Sequence, residues 1–167
     1  TRNYAANPHD VIHRVAQKTG AQAYVMPVPF FANSVEDREV LLAQRGVQEV
    51  FELSARATLK FVGIGTVDVG AQLVATGMIE PREIAEITAV GGVGEMLGHF
   101  FDAQGRVLET TLTARTLAVD LGSGQPEGRI VAIAGGAEKV DAIRAVLLSG
   151  RLKGLITDEI TARALAG

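Results

Sequence analysis

The spacing of apolar residues predicts helices in several parts of the chain, and most begin at a residue that favours helix starts. Asn7 and Pro8 would cap and open the first helix, which Gly20 would end. Ser34, followed three residues later by Asp37, has the pattern of a capping box. The predicted helices begin at Pro8, after Ser34, near Val47, after Thr66, at Pro81, after Gly136 and after Thr157.

Short apolar runs that end at glycine or proline predict the strands. Ala21–Met26 is such a run, and it ends at Pro27, which cannot continue a ladder. Two runs on either side of Asp102–Gly105 predict a hairpin, and the polar stretch 122–128 predicts a surface loop. The remaining predicted strands and the hairpin arms are Thr58–Val62, Met96–Phe101, Arg106–Glu109, Leu117–Leu121, Ile130–Ala134 and Gly154–Ile156.

The alternation of strands and helices predicts an α/β fold in which a mostly parallel sheet is flanked by helices and carries a β-hairpin. No repeat, low-complexity tract or long linker divides the chain, so residues 1–167 are expected to form one domain. The chain opens on a polar coil and a helix, without the strand and phosphate loop that usually begin a doubly wound domain. We therefore expect the first strand of the sheet to lie upstream.

Composition and charge exclude several classes of function. The net charge is −3 and the basic residues are scattered, so this segment has no electrostatic footprint for nucleic acid. The chain has no cysteine, and no uninterrupted apolar run reaches about 18 residues. We expect a soluble cytoplasmic protein without a membrane partner. His9, His13 and His99 lack the spacing of metal ligands, so no metal or other cofactor is expected.

Lys139 is the strongest single candidate for a ligand-binding residue. It follows Gly135-Gly136 in the first turn of a predicted helix, where a cation opposes the helix dipole by roughly 0.3–1 kcal/mol. An anion bound at that helix start would reverse the penalty, because backbone N–H groups and the ammonium would act on it together. The alternative is a solvated lysine paired with Glu138 or Asp141.

Two other strand ends carry candidate residues. Gly63-Ile64-Gly65-Thr66 lies between a strand and a helix, where glycines let the backbone approach a ligand, although a plain tight turn is the more common use of such a segment. Asp158 and Glu159 follow the last strand and could accept hydrogen bonds from sugar hydroxyls, or they could simply cap a helix. A cation with carboxylates at one sheet edge would suit a phosphorylated polyol.

Glycine-containing and acidic motifs follow one another in a fixed order along the chain. They are Gly63-Ile64-Gly65, the run from Gly91 to Asp102, the run from Ala134 to Ile143, and Leu155 to Glu159. In this order they resemble the sugar-binding domain of the SorC family of bacterial transcriptional regulators. Residues 24–31 and the Ser34–Leu42 helix look like the same family's segments, so the resemblance covers nearly the whole chain.

The resemblance implies an effector-binding domain with a fold similar to ribose-5-phosphate isomerase and glucosamine-6-phosphate deaminase. Family members bind a phosphorylated sugar or related metabolite, carry a helix-turn-helix domain for operator DNA, and form dimers or tetramers. This chain lacks a recognisable helix-turn-helix, and Glu95 stands where many relatives have aspartate. No catalytic residue is expected. The resemblance implies that Gly63, Gly65, Glu95, Arg115, Lys139 and Asp158 bind the ligand, and Thr66 and Glu159 of the strand-end motifs complete the predicted set.

Two other functions stay open at the level of sequence. A sugar-phosphate isomerase or deaminase of the same fold could use Asp158 or Glu159 as a general base and Lys139 to stabilise an enediolate. A purely structural oligomerisation module would leave Lys139 and Asp158 without a shared pocket. Fold similarity does not decide between these functions, but the motifs match the regulators more closely. Our first hypothesis is a ligand-sensing, non-catalytic domain.

Overall fold

The computed structural model describes residues 11–68, 72–75, 77–119 and 129–167. In these ranges the helices are α1 (Val11–Thr19), α2 (Val35–Leu42), α3 (Arg45–Ala55), α4 (Gln72–Ala75), α5 (Pro81–Ala89), α6 (Val140–Leu148) and α7 (Glu159–Ala166). The strands are β1 (Leu59–Val62), β2 (Gly65–Thr66), β3 (Gly92–Met96), β4 (His99–Asp102), β5 (Val107–Leu108), β6 (Arg129–Ile133) and β7 (Gly154–Ile156). Short 3₁₀ turns lie at Thr113–Arg115 and Ala137–Lys139.

The strands form two sheets. The parallel sheet has the order β1-β6-β7, and the antiparallel sheet has the order β2-β3-β4-β5. The parallel sheet with its helices confirms the predicted α/β class. The predicted hairpin is confirmed as β4 and β5, but it belongs to a larger sheet, because Leu97 and Gly98 form a second turn that joins β3 to β4. That turn was not predicted, and the predicted strand Met96–Phe101 runs across it.

Helix α6 lies between the two sheets and forms the main core with both. Its Ile143 and Val146 are fully buried together with Ile130 of the parallel sheet and Phe101 of the antiparallel sheet. The neighbouring Phe100 points to the opposite face of β4, as strand alternation requires, and packs in a second cluster with residues of α5. The antiparallel sheet is therefore covered by α6 on one face and by α5 on the other.

The sequence Gly91-Gly92-Val93-Gly94-Glu95 predicts a glycine-rich bend, and the structure shows that this prediction is wrong. Gly92 and Gly94 lie in an extended strand, and both are buried. A Cβ on Gly92 would come within 2.5 Å of the Ile87 side chain, and one on Gly94 would come within 2.9 Å of the Ala142 carbonyl oxygen. These glycines let α5 and α6 approach the sheet closely, and they do not bend the chain.

Several helices form where their end signals predict them. The Ser34 hydroxyl accepts a hydrogen bond from the Asp37 N–H at 3.1 Å and caps α2. Helix α5 covers the predicted range from Pro81, and α1 ends before Gly20, whose φ is 71°. Helix α3 starts before the predicted point, at Arg45. The predicted start of α1 and the predicted loop 122–128 lie outside the described residues.

Two predicted strands are wrong. Residues 21–26 form no strand, and Tyr24 and Val25 are exposed. Residues 117–119 form none either; a single antiparallel bridge joins Phe31 to Thr116, just before them. Both runs have apolar, β-prone sequences, but a strand exists only where a second strand completes its hydrogen-bond ladder, which composition does not reveal.

The parallel sheet has one open face among the described residues. Phe61, Ile133 and Ile156 are 59%, 54% and 53% exposed, and they lie on the face turned away from α6. Parallel sheets are normally covered on both faces, and the apolar runs of β1 and β6 have the composition that goes with such burial.

Candidate functional site

A cleft opens where β1 ends and the chain crosses to β2. Its volume is about 320 Å³, at the lower end of the range for small-ligand sites. It lies at the carboxyl end of a parallel strand, the edge at which α/β sheets bind ligands. The cleft is lined by Phe30, Gly63, Ile64, Gly65, Thr66, Leu73, Glu95, Leu97 and Lys139.

Glu95 is the buried polar group of this cleft. Its residue is 9% exposed, and its Oε1 accepts a hydrogen bond from the Gly98 N–H at 2.6 Å. Burial raises the pKa of the carboxyl group, against the opposing effects of that hydrogen bond and of the Lys139 charge. Its Oε2 faces Gly65, where a Cβ would lie only 2.9 Å away, and no donor among the described residues binds it.

Lys139 supplies the positive charge. It lies in the 3₁₀ turn directly before α6, one step earlier than the predicted first helical turn, and it is half-buried. Within the described part of the chain, no carboxylate forms a salt bridge with it, so the predicted pairing with Glu138 or Asp141 is not observed. Its charge and the nearby N–H groups at the start of α6 are therefore available to an anion.

The rest of the cleft wall is apolar, and the sequence analysis did not identify it. Phe30, Leu73 and Leu97 line it. Leu97 has φ of 53°, and Gly98, the second residue of the same turn, has φ of 76°. A left-handed conformation is costly for leucine and persists only where surrounding contacts enforce it. The spacing of residues in the sequence could reveal this apolar wall only after the Leu97–Gly98 turn between β3 and β4 had been recognised.

Asp158 lies at the carboxyl end of β7 but serves the helix that follows. Its Oδ1 accepts the Thr161 N–H at 2.9 Å, and its Oδ2 accepts the Thr161 hydroxyl at 2.7 Å. These two hydrogen bonds lower the pKa of Asp158. The adjacent Glu159 is exposed and pairs with Arg163 at 2.7 Å. The structure thus places both acids at the start of α7, outside the lining of the Lys139 cleft.

Arg115 lines a different and larger cleft of about 520 Å³. Its guanidinium forms an ion pair with Glu83 and also donates to the Ala32 carbonyl oxygen. Glu83 in turn accepts the Glu80 N–H at 2.8 Å, and the nearby Glu86 accepts the Thr111 hydroxyl at 2.8 Å. The charges at the centre of this cleft are therefore satisfied within the protein.

The predicted ligand-binding residues thus divide into two groups. Five of them share the small cleft, and the other three, Arg115, Asp158 and Glu159, lie elsewhere with protein partners of their own. The five in the cleft are Gly63, Gly65, Thr66, Glu95 and Lys139.

In the described ranges, no group of histidine, aspartate and glutamate is arranged to hold a metal ion. None of the helices in those ranges has the length and hydropathy of a membrane span.

The fold and the cleft define a ligand-binding α/β domain, and comparison with known proteins gives its class. Residues 1–166 match the family described as "Putative sugar-binding domain". The chain is 69% identical over 167 residues to the erythritol catabolism regulatory protein EryD of Brucella abortus, a match that covers all of this chain and 52% of that protein. The chain belongs to this sugar-binding domain family of transcriptional regulators.

Solved structures agree with the assignment. A domain of a "possible sugar-binding transcriptional regulator" from Arthrobacter aurescens superposes with a TM-score of 0.85 at 26% identity, covering 95% of this chain and 60% of that one. The full-length sorbitol operon regulator SorC of Klebsiella pneumoniae has the same fold, with a TM-score of 0.83 at 20% identity over 93% of this chain and 50% of that one. The resemblance to SorC-type regulators is confirmed.

The chain spans about half the length of the curated relatives it matches. Because these relatives are transcriptional regulators by name, the comparisons support a ligand-sensing regulatory domain over the isomerase or deaminase alternative.

Proposed function

We propose that this domain senses a small phosphorylated sugar or polyol in the cleft between Lys139 and Glu95. The observation that carries the proposal is a pair of groups that line the same cleft without protein partners among the described residues. The half-buried ammonium of Lys139 forms no salt bridge there, and Glu95 Oε2 accepts no hydrogen bond. Lys139 and the start of α6 would bind the phosphate, and Glu95 Oε2 would accept a hydroxyl. Gly63, Gly65 and Thr66 would form the floor.

The ligand we propose is a four-carbon polyol or its phosphate. The small volume of the cleft and its single lysine suit a compact monophosphate. The relative with 69% identity carries erythritol catabolism in its name, which supports erythritol or a phosphorylated derivative as the ligand here. Three predicted residues, Arg115, Asp158 and Glu159, form no part of this proposed site.

Ligand binding would act on DNA through another part of the protein. We propose that operator DNA is bound by a helix-turn-helix domain outside these residues, and that the regulator is a cytoplasmic dimer or tetramer. A ligand shifts such an assembly only if it binds the DNA-competent and incompetent states with different affinities. Light scattering of the full-length protein with and without ligand measures the oligomer directly.

We also propose that residues 1–167 are one part of a larger effector-binding domain. The open face of the parallel sheet supports this, as does a solved domain of the same fold of which the chain covers only 60%. An upstream strand would pair with the edge of β1 that no described strand occupies.

The test is calorimetric titration of the full-length protein with erythritol and erythritol 4-phosphate, with glucose 6-phosphate as the larger comparison. Each ligand is also incubated with the protein and followed by NMR. We expect the four-carbon phosphate to bind most tightly and to stay unconverted. Conversion would make the protein an enzyme, and tighter binding of the free polyol would remove the phosphate from the proposal.

A further inference from the structure

Thr116 stands directly behind the cleft without lining it. Its residue is 6% exposed, although threonine is polar. The hydroxyl lies within hydrogen-bond distance, 3.3 Å, of both the Gly98 and the Leu112 carbonyl oxygens, and it can donate to either. A Cβ on Gly98 would come within 2.5 Å of the Thr116 methyl group and 2.9 Å of the Phe30 ring. The Leu97–Gly98 turn, the Phe30 ring and Thr116 are therefore in close contact.

The turn that Thr116 supports carries two walls of the ligand cleft. Leu97 lines the cleft in a left-handed backbone conformation, and the Gly98 N–H is the group that holds Glu95 Oε1. Because strain of this kind persists only under enforcing contacts, a change behind the turn should alter both Leu97 and Glu95.

Thr116 also holds Phe30 through the backbone. Thr116 bridges to Phe31, and the Leu117 N–H donates to the Phe30 carbonyl oxygen at 2.9 Å. Phe30 is another wall residue of the cleft. One short segment, 116–117, thus fixes two separate parts of the cleft wall.

On its far side this segment is bound to α2. The Arg38 Nε donates to the Thr116 carbonyl oxygen at 2.8 Å, and α2 packs against the 3₁₀ turn that precedes Thr116. Hydrogen bonds therefore run from Glu95 through Gly98 and Thr116 to Arg38.

We propose that Thr116 is a positioning residue for the ligand cleft and that it transmits cleft occupancy to α2 through Arg38. This inference rests on the proposed function, since it describes how the same cleft is held and sensed. The hydroxyl of Thr116 keeps the Leu97–Gly98 turn in its binding position, and the backbone of residues 116–117 does the same for Phe30. Its carbonyl group carries any shift of the turn to α2.

The experiment compares Thr116→Val, which keeps the shape and loses the hydroxyl, with Thr116→Ser, which keeps the hydroxyl. Full-length proteins are titrated with erythritol 4-phosphate. We expect Thr116→Val to weaken binding about fivefold to tenfold, as for one lost hydrogen bond, and Thr116→Ser to stay within about twofold. Thr111→Val is the matched control, because the Thr111 hydroxyl serves Glu86 in the other cleft.

The second readout is hydrogen exchange at the amides of α2. In the wild type, erythritol 4-phosphate should slow exchange there about threefold or more, as expected for a locally stabilised unit. Arg38→Gln should abolish this response and leave the affinity within about twofold. Since Arg38 lies on a surface helix, this variant tests the link even if Thr116→Val folds poorly.

The possible results distinguish a failure of the proposed function from a failure of this inference. Wild-type protein that binds neither erythritol nor its phosphate overturns the proposed function and this inference with it. Wild-type binding combined with an unchanged Thr116→Val affinity, or with an α2 response that survives Arg38→Gln, overturns the inference and leaves the proposed function standing.

Discussion

The two clefts of this domain differ in the state of their charges more than in their size. The larger one, at about 520 Å³, is centred on the Arg115–Glu83 ion pair, and its carboxylates accept hydrogen bonds from the protein. The smaller one, at about 320 Å³, holds Lys139 without a salt bridge and Glu95 Oε2 without a donor in the described ranges. Charged groups that line a cleft without a protein partner indicate a binding site better than the volume of the cleft does.

Removing Arg115 would show the largest difference between the clefts, and it should appear in stability. Arg115→Met leaves Glu83, whose side chain is 14% exposed, without its cation. We expect the free energy of unfolding to fall by about 2–4 kcal/mol, near the lower end for a broken buried pair because both groups keep some water contact. Urea unfolding of the variant and the wild type measures this. A loss below about 0.5 kcal/mol would mean that the pair is merely a surface contact.

Lys139→Ala is the reciprocal change, and its effect should appear in ligand binding. We expect the affinity for erythritol 4-phosphate to fall by about 1.5–3 kcal/mol, the usual loss for a charge-assisted hydrogen bond. The unfolding free energy should change by less than about 0.5 kcal/mol, because no described carboxylate forms a salt bridge with this lysine. Lys153→Ala, at an exposed lysine outside the cleft lining, is the control for net charge. Equal affinities in the two variants would exclude Lys139 from the site.

Gly65→Ala sharpens the comparison inside the small cleft. The added methyl group would lie 2.9 Å from Glu95 Oε2 and would occupy the space assigned to a ligand hydroxyl. We expect about a tenfold loss of affinity, equivalent to about 1.4 kcal/mol. Gly46→Ala, where a Cβ meets nothing within 4 Å, is the matched control. Affinity retained in Gly65→Ala would show that the ligand does not approach Glu95 from this side.

The sequence predicts much of the fold and of the smaller cleft, but only where the residues that indicate a feature lie within that feature. Ser34 and Pro81 mark helix starts by their own chemistry, and the glycines and Lys139 mark strand ends. The partner of Arg115 could not be read in the same way, because Glu83 lies 32 positions away in sequence. The tertiary fold determines which charged groups come into contact. The spacing of residues along one helix or strand does not predict such contacts.

The prediction of a bend at the glycines of β3 was wrong for a related reason. Glycine permits both turns and close packing, and sequence does not tell which is used. At Gly94 the deciding fact is the Ala142 backbone, which belongs to a helix that begins more than 40 residues later. The missed Leu97–Gly98 turn follows from the same error, because the strand that precedes it was assigned as a bend.

The smallest expected effect is a pH dependence that separates Glu95 from Asp158. Burial raises the pKa of Glu95, so its contribution to stability is present below the unfolded-state pKa and is lost as pH rises through the folded-state pKa. The pKa of Asp158 is lowered by its hydrogen bonds from Thr161, so its contribution is present at higher pH and is lost as pH falls.

Urea unfolding from about pH 3 to pH 7 tests these signs, since both groups ordinarily titrate near the lower end of that range. Relative to the wild type, Glu95→Gln should remove a loss of stability with rising pH, and Asp158→Asn should remove a gain. Identical pH profiles for the two variants would contradict the different environments assigned to these carboxylates.

The most direct test of the account is NMR mapping of erythritol 4-phosphate on the full-length protein, labelled at backbone amides. The account predicts that the amides of Gly65, Gly98 and Lys139 shift in proportion to occupancy, while those of Asn33 and Glu86 in the larger cleft move little. Shifts centred on Asn33 and Glu86 would place the ligand with the Arg115 pair and contradict the central claim.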